Sequence, residues 1–236
     1  MGLRCKFNLV LVVVFMTGFA AAGFISRELL QRNAREEVIR GAQLMMEAAA
    51  SVRTYTVDQI RPHLIKQLDE VFLPQTVPAF AATEAVMQLQ KKYPDYSYKE
   101  ATLNPTNPRN RAADWEADIV QQFRLHADLP EIVSERQSST GRSLFIAKPI
   151  KISNPACLQC HSTAAAAPPT MVKIYGEAND FGWKHNEIVG AQVVTVPMDV
   201  PLRNAERAFT TFMASLAGVF VVVFIVLNVM LSWLIV

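Results

Sequence analysis

Two uncharged apolar runs, FNLVLVVVFMTGFAAAGFI (Phe7–Ile25) and FMASLAGVFVVVFIVLNVMLSWLIV (Phe212–Val236), set the frame for everything between them. Each reaches the roughly 20 residues a helix needs to cross a bilayer, where no water is present to bond exposed backbone groups. The expected organisation is an N-terminal transmembrane helix within residues 1–25, a domain over 26–208, and a C-terminal transmembrane helix over 209–236. The middle is one domain's worth of ordinary composition. Arg4 and Lys6 keep the N-terminus inside and send the middle outward, to the periplasmic side of a bacterial cytoplasmic (inner) membrane. The small residues of FAAAG also allow a cleaved signal peptide, but the run is long for one and continues into a helical pattern. Arg203 and Arg207 oppose the charge rule after a long segment, where that rule is weak. The second run closes the sequence, so no cytoplasmic transmitter is expected beyond it. A formal charge of +2 and the lack of a basic stripe argue against nucleic acid as a partner.

The middle reads as α+β. Residues 26–68 carry apolar positions at helical spacing, with Pro62 expected to kink or end the helix. A second helix is predicted over 79–92 and a third from about Ala112. Alternation and turn residues predict strands over 96–104, 131–137, 143–152 and 187–198, in one antiparallel sheet with helices on one face. Pro201 suits the first turn of the second membrane helix. In that helix Asn228 and Ser232 share one face, a weak pointer to a neighbouring membrane helix.

Between the last two predicted strands lies PACLQCHSTAAAAPP, in which Cys157, Cys160 and His161 form C-x-x-C-H. Two thiols at this spacing can each add to one vinyl group of a haem, and the next histidine can then bind the iron. The pattern arises by chance in roughly one chain in a thousand of this length at ordinary residue frequencies. A thioredoxin-type pair needs a βαβ context, and a structural zinc site needs a second ligand pair; neither is present in the sequence. Attachment of c-type haem takes place outside the cytoplasmic membrane, which agrees with the orientation above. Cys5, in the N-terminal basic segment, is read as incidental.

The flanks add a resemblance. CLQCH with APPTMVKIYGEANDFGWKHNEIVGAQVVTVPM, together with ASVRTYTVDQIRP, VPAFAATEAVMQLQKKYPDYSYKEATLNPTNPRNRAADWEADIVQQF and GRSLFIAKPI, resembles the DUF3365 or Tll0287-like family of c-type haem domains, over about residues 40–200. The resemblance implies a PAS-like antiparallel sheet with a long N-terminal helix and one covalent haem c, held through Cys157 and Cys160 with His161 as proximal ligand. It also implies a distal ligand from the long helix. Met46 and its neighbour Met45 are the candidates there, with His63 as an alternative and packing as the competing role of the methionines.

The propionates call for charge-assisted partners. Arg109 and Arg111 are the first candidates, followed by Arg142, Lys148 and Lys151. Tyr175, Phe181 and Trp183 are candidates to cover the haem edge; His126, His185 and the acids of DWEAD read as solvated surface. Three functions follow in order: an electron carrier working with a membrane redox partner through the transmembrane helices, a haem-based redox or gas sensor signalling through a partner protein, and an enzyme. The last lacks a recognisable distal acid–base pair. The long helix also suits contacts in a homodimer.

Overall fold

The computed structural model describes residues 2–138 and 141–234. Its α-helices are α1 (Leu3–Tyr55), α2 (Arg61–Leu64), α3 (Pro78–Gln90), α4 (Asp114–Leu125), α5 (Leu158–His161), α6 (Pro169–Tyr175) and α7 (Asp199–Leu234). The strands are β1 (Ser97–Thr102), β2 (Ile132–Ser138), β3 (Gly141–Lys151) and β4 (Ile188–Pro197). They form one antiparallel sheet in the order β1-β4-β3-β2. The class is therefore α+β with a long N-terminal helix, as the patterning implies. Two compact units are distinguished, one spanning Val38–Pro197 and the other built from the two flanking segments.

In the flanking unit, α1 and α7 are both long and apolar enough to cross a membrane. They run antiparallel. Phe15 stacks on Phe220 with ring centroids 4.7 Å apart, and Gly23 lies beside Met213, so one index falls as the other rises. A Cβ on Gly23 would come within 3.1 Å of the Met213 methyl carbon. Asn228 and Ser232 return their hydrogen bonds to their own helix, at the carbonyls of Phe224 and Asn228.

In the central unit the sheet is covered by helices on both faces, not on one as the patterning predicts, because the apolar stripe at the end of the long helix is itself buried against it. One face packs on α4: Ile119, Val120 and Phe123 meet Ala101, Phe145, Ala147, Ala191 and Val193. Helix α4 starts where it does because the Glu116 carboxylate reaches back to the Ala113 N–H at 2.7 Å, while Lys99 of β1 pairs with the same carboxylate at 2.6 Å. The opposite face carries Tyr98, Glu100, Leu144, Ile146, Val194 and Val196, all buried. Above it runs the C-terminal part of α1, whose buried positions Val38, Ala42, Met45, Met46 and Ala49 recur at helical spacing.

Two ion pairs fix the crossing. Lys148 of β3 donates to Glu47 at 2.6 Å, and Arg53 donates to Glu100 of β1. Register places Glu100, Gln192 and Lys148 in one row across the strands. The helix advances ~9 Å between residues 47 and 53, close to the ~10 Å spanned by two strand spacings. The helix therefore passes across the strands from β3 towards β1.

Beyond Tyr55 the helix does not stay regular. Thr56–Ile60 form one π-helical turn, α2 follows with Pro62 in its first turn, and Ile65–Asp69 tighten to 3-10. The break falls earlier than Pro62 alone predicts. Proline cannot donate within the helix and crowds the preceding turn, and the wider π turn lies directly before it.

The sheet also shapes the departure of the motif loop. The β3–β4 register shifts between Ile150 and Lys151, next to Gly190. A Cβ at Gly190 would lie 2.5 Å from the Ala101 carbonyl oxygen and 2.6 Å from a Thr102 methyl, so only glycine lets β1 and β4 approach there. Strand β2 has already ended opposite Ala147, which leaves Pro149 paired only with β4.

Candidate functional site

The loop that leaves β3 winds at once into the motif. The Asn154 side chain accepts from the Ala156 N–H at 2.9 Å and starts a 3-10 turn, Pro155–Cys157, that continues into α5. One short helical stretch thus carries Cys157, Cys160 and His161. Both thiols are free and half-buried.

Cys160 sits against an apolar floor. Leu68, Phe72, Ala167 and Met171 are buried there, with Tyr175 and Phe181 packed beside them. Phe72 and Tyr175 meet edge to face at 5.9 Å, and Thr170 of α6 donates to the Leu68 carbonyl at 2.5 Å, which ties α6 to the chain following α2. Burial pushes the Cys160 thiol above its ordinary pKa; Arg61 opposes that rise and Cys157 adds to it. Arg61 is also the residue by which the long helical segment reaches the motif, donating to Gln159 Oε1 at 3.1 Å.

His161 is held from several sides. Its Nδ1 lies 2.9 Å from the Asp180 backbone oxygen. A carbonyl only accepts, so Nδ1 carries a proton and Nε2 is the ring nitrogen not engaged by this contact, the one through which an imidazole in this orientation could bind a metal. The Trp183 indole stacks on the imidazole with centroids 3.9 Å apart and planes 10° apart. Trp183 N donates to the His161 carbonyl at 3.1 Å and Gly182 N to the Ser162 carbonyl at 2.9 Å, which fastens the later loop to the motif. That loop is wound through left-handed backbone at Asp180 (φ 68°) and Gly182 (φ 85°). The Asp180 carboxylate is held by Thr106: Oδ2 accepts from Thr106 N at 3.2 Å and Thr106 Oγ1 at 2.5 Å, and lies 3.5 Å from His161 Nδ1.

The candidates from sequence divide. Cys157, Cys160, His161, Tyr175, Phe181 and Trp183 gather at one place. Arg109 instead donates to Glu84 at 2.6 Å and lies over the Phe80 ring, while Arg111 is exposed. Arg142 pairs with Glu135 and Lys148 with Glu47; none of these pairs includes a motif residue. His63, His126, Lys151 and His185 are exposed. Met45 and Met46 are buried on the sheet-facing stripe of α1, beside the Glu47 that pairs with β3. From Met46 to Arg61 the chain advances ~22 Å at the helical rise.

Three residues were not singled out from sequence. Thr106 sits in a turn-rich stretch, Asp180 in a run legible only as a turn, and Arg61 in the helical pattern just before Pro62. Only Asp180 had a local signal, an acidic residue in a glycine-containing turn, where left-handed backbone is tolerated.

Comparison with known proteins supplies the relationship. No curated protein matches the sequence. Among solved structures, the crystal structure of the cyanobacterial haem protein Tll0287 is similar at a TM-score of 0.48 and 16% identity, covering 64% of this chain and 94% of that one. The model of the Tll0287-like family matches residues 31–197, the greater part of the sequence and all of the central unit. The chain belongs to the Tll0287-like family.

Proposed function

We propose that this protein is a membrane-anchored, single-haem c-type cytochrome whose haem domain lies in the periplasm of a bacterium and passes electrons to or from a membrane redox partner. One observation carries the reading: Cys157, Cys160 and His161 share a single turn, and the His161 proton is already committed to the Asp180 carbonyl, so Nε2 is left for iron. Family membership and the haem-protein relative support the same cofactor. The donor set fits the group. Cys157 and Cys160 offer two half-buried thiols that would form the thioethers, the apolar side chains beside Cys160 would line a porphyrin edge, and the His161 Nδ1–H is engaged by the Asp180 carbonyl so that Nε2 would face the metal.

When bound, the haem supplies a one-electron couple whose potential depends on its axial ligands and their hydrogen bonds. This chain's own residues attach and orient it. Cys157 and Cys160 anchor it, His161 presents Nε2, and Tyr175, Phe181 and Trp183 limit water near it. For the distal position the reading keeps Met46, with Met45 and His63 as alternatives. Ligation by Met46 requires its sulfur to turn from its packing over the sheet. Arg109 and Arg111 remain the proposed propionate partners, and for Arg109 that role means leaving Glu84. The sheet is taken as PAS-like, the two apolar helices as inner-membrane anchors and docking elements, and α1 as a possible homodimer contact. The reading assigns no reaction catalysed by the protein itself.

Protein matured with a cytochrome c assembly system should give a pyridine-haemochrome spectrum and keep its haem after denaturing electrophoresis. C157S/C160S should not. Absence of haem from the wild type ends the reading. A second function, haem-based sensing, is favoured by the unbroken course of α1 from an apolar run to the π turn before Arg61. A six-coordinate, low-spin spectrum unchanged by carbon monoxide or nitric oxide selects the carrier, and rapid gas binding selects the sensor. Separate substitution of Met46, Met45 and His63 must change the reduced spectrum for whichever residue binds.

A further inference from the structure

The contacts around His161 are asymmetric in a way that attachment alone does not require. A proximal imidazole needs one acceptor at Nδ1, and the Asp180 carbonyl provides it at 2.9 Å. The same residue brings a second, stronger acceptor to the edge of the same proton: Oδ2, at 3.5 Å, beyond a normal hydrogen bond. That carboxylate is largely buried, with 11% of the side chain exposed, so solvent screens it little. Thr106, on the connection following β1, accounts for its position, because both its N–H and its hydroxyl donate to Oδ2. Asp180 adopts left-handed backbone, which directs its carbonyl at the imidazole while the side chain points at Thr106.

We propose that Thr106 and Asp180 form a latch that holds a carboxylate beside, but not bonded to, the His161 Nδ1–H, and that this latch sets the reduction potential of the haem iron. The inference rests on His161 being the proximal ligand. A carbonyl acceptor leaves the imidazole neutral, whereas a fully engaged carboxylate draws its proton further and makes Nε2 a stronger donor. A stronger donor stabilises oxidised iron and lowers the potential. Thr106 keeps the carboxylate at the intermediate point, where its charge is felt and its hydrogen bond is not made. Asp180 and Thr106 are positioning residues, acting on the iron only through His161.

Two substitutions should shift the potential in opposite directions. Asp180→Asn removes the charge but keeps the backbone carbonyl, and asparagine tolerates the left-handed conformation; the midpoint potential should rise. Thr106→Val removes the hydroxyl donor and leaves only the Thr106 N–H on Oδ2, so the carboxylate can swing to Nδ1; the potential should fall. Thr106→Ser keeps both donors and should match the wild type. The measurement is a spectroelectrochemical titration of the full chain, with haem content read in parallel by pyridine haemochrome. Potentials that move the same way, or not at all, in fully haem-loaded D180N and T106V overturn the latch while leaving the haem reading intact. A T106S shift as large as that of T106V also overturns it, as does loss of haem from D180N with its circular dichroism unchanged. A wild type without haem overturns both readings.

Discussion

Arg53, Glu100 and Tyr98 form a polar cluster on the sheet face that α1 covers, and its removal gives the sharpest test of how α1 is fixed across the strands. Arg53 donates to both carboxylate oxygens of Glu100, and the Tyr98 hydroxyl donates to Oε1 at 2.7 Å. The partners are buried unequally: the Glu100 side chain is 4% exposed and that of Arg53 26%. Arg53→Met therefore strands a carboxylate with one neutral donor, and breaking a buried pair in this way costs about 3–5 kcal/mol. Glu100→Gln is milder. Its amide oxygen still accepts from Tyr98 and Arg53 can lean towards solvent, so the loss is nearer that of one hydrogen bond to a charged group, about 1.5–3 kcal/mol.

For a unit of this size 1 kcal/mol corresponds to a shift of about 2–4 °C in thermal midpoint. R53M should then melt roughly 6–20 °C below wild type. The double variant R53M/E100Q should fall short of the summed losses by about 0.5–3 kcal/mol, since neither charge is then left stranded. The assay is thermal unfolding of the full chain in detergent at neutral pH, followed by circular dichroism. If E100Q costs as much as R53M, or if the two losses simply add, the pair does not hold α1 on the sheet in the way argued.

The same cluster gives a pH signature. Burial first, and then Glu100, raise the Tyr98 pKa, against the pull of Arg53. A group raised in the folded state contributes stability fully below its unfolded pKa, about 10 for tyrosine, and loses it as pH climbs above that. Stability should fall above about pH 10 by up to ~1.4 kcal/mol per pH unit, and Y98F should remove that component; an unchanged slope in Y98F refutes the assignment. Gly190→Ala drives a Cβ into the Ala101 carbonyl, so a loss of at least about 1–3 kcal/mol is expected in urea unfolding; a neutral result would mean that β1 and β4 can separate freely there. In haem-free protein, Arg61→Leu removes an influence that lowers the Cys160 pKa, so alkylation of Cys160 at pH 8, read by mass spectrometry, should slow several-fold. A rate equal to the wild type would place Arg61 too far from the thiol to matter.

Most of the sheet was legible because strands announce themselves locally. All four predicted strands match β1 to β4 to within two residues at each end, since alternation and flanking turns are properties of short windows. The long helix was legible only as a length of helical spacing. Residues 26–68 keep that spacing through the π turn and the 3-10 turn, because both change the hydrogen-bond partner without disturbing which residues are apolar. Nor does spacing say which strand a helical residue lies over. Met45 and Met46 read equally well as ligands or as packing; the Glu47–Lys148 pair beside them, which puts that turn over β3, is a contact between residues about a hundred positions apart.

The site divides along the same line. C-x-x-C-H is visible because covalent attachment and ligation come from residues that are neighbours in the chain, and one helical turn is enough to present them. What holds the His161 ring is assembled from elsewhere: Thr106 after β1, and Asp180 and Trp183 before β4. No periodicity relates these positions, and each has an ordinary role in a loop. They converge because β1 and β4 are adjacent in the sheet, so the loop leaving one and the loop arriving at the other must meet. The motif therefore states which cofactor chemistry is possible, whereas on the reading proposed above the potential of a bound haem would depend on contacts that strand order brings together. If His161 is the proximal ligand as proposed, a change to the β1–β4 pairing should shift the haem potential through Thr106 and Asp180 while attachment through Cys157 and Cys160 persists.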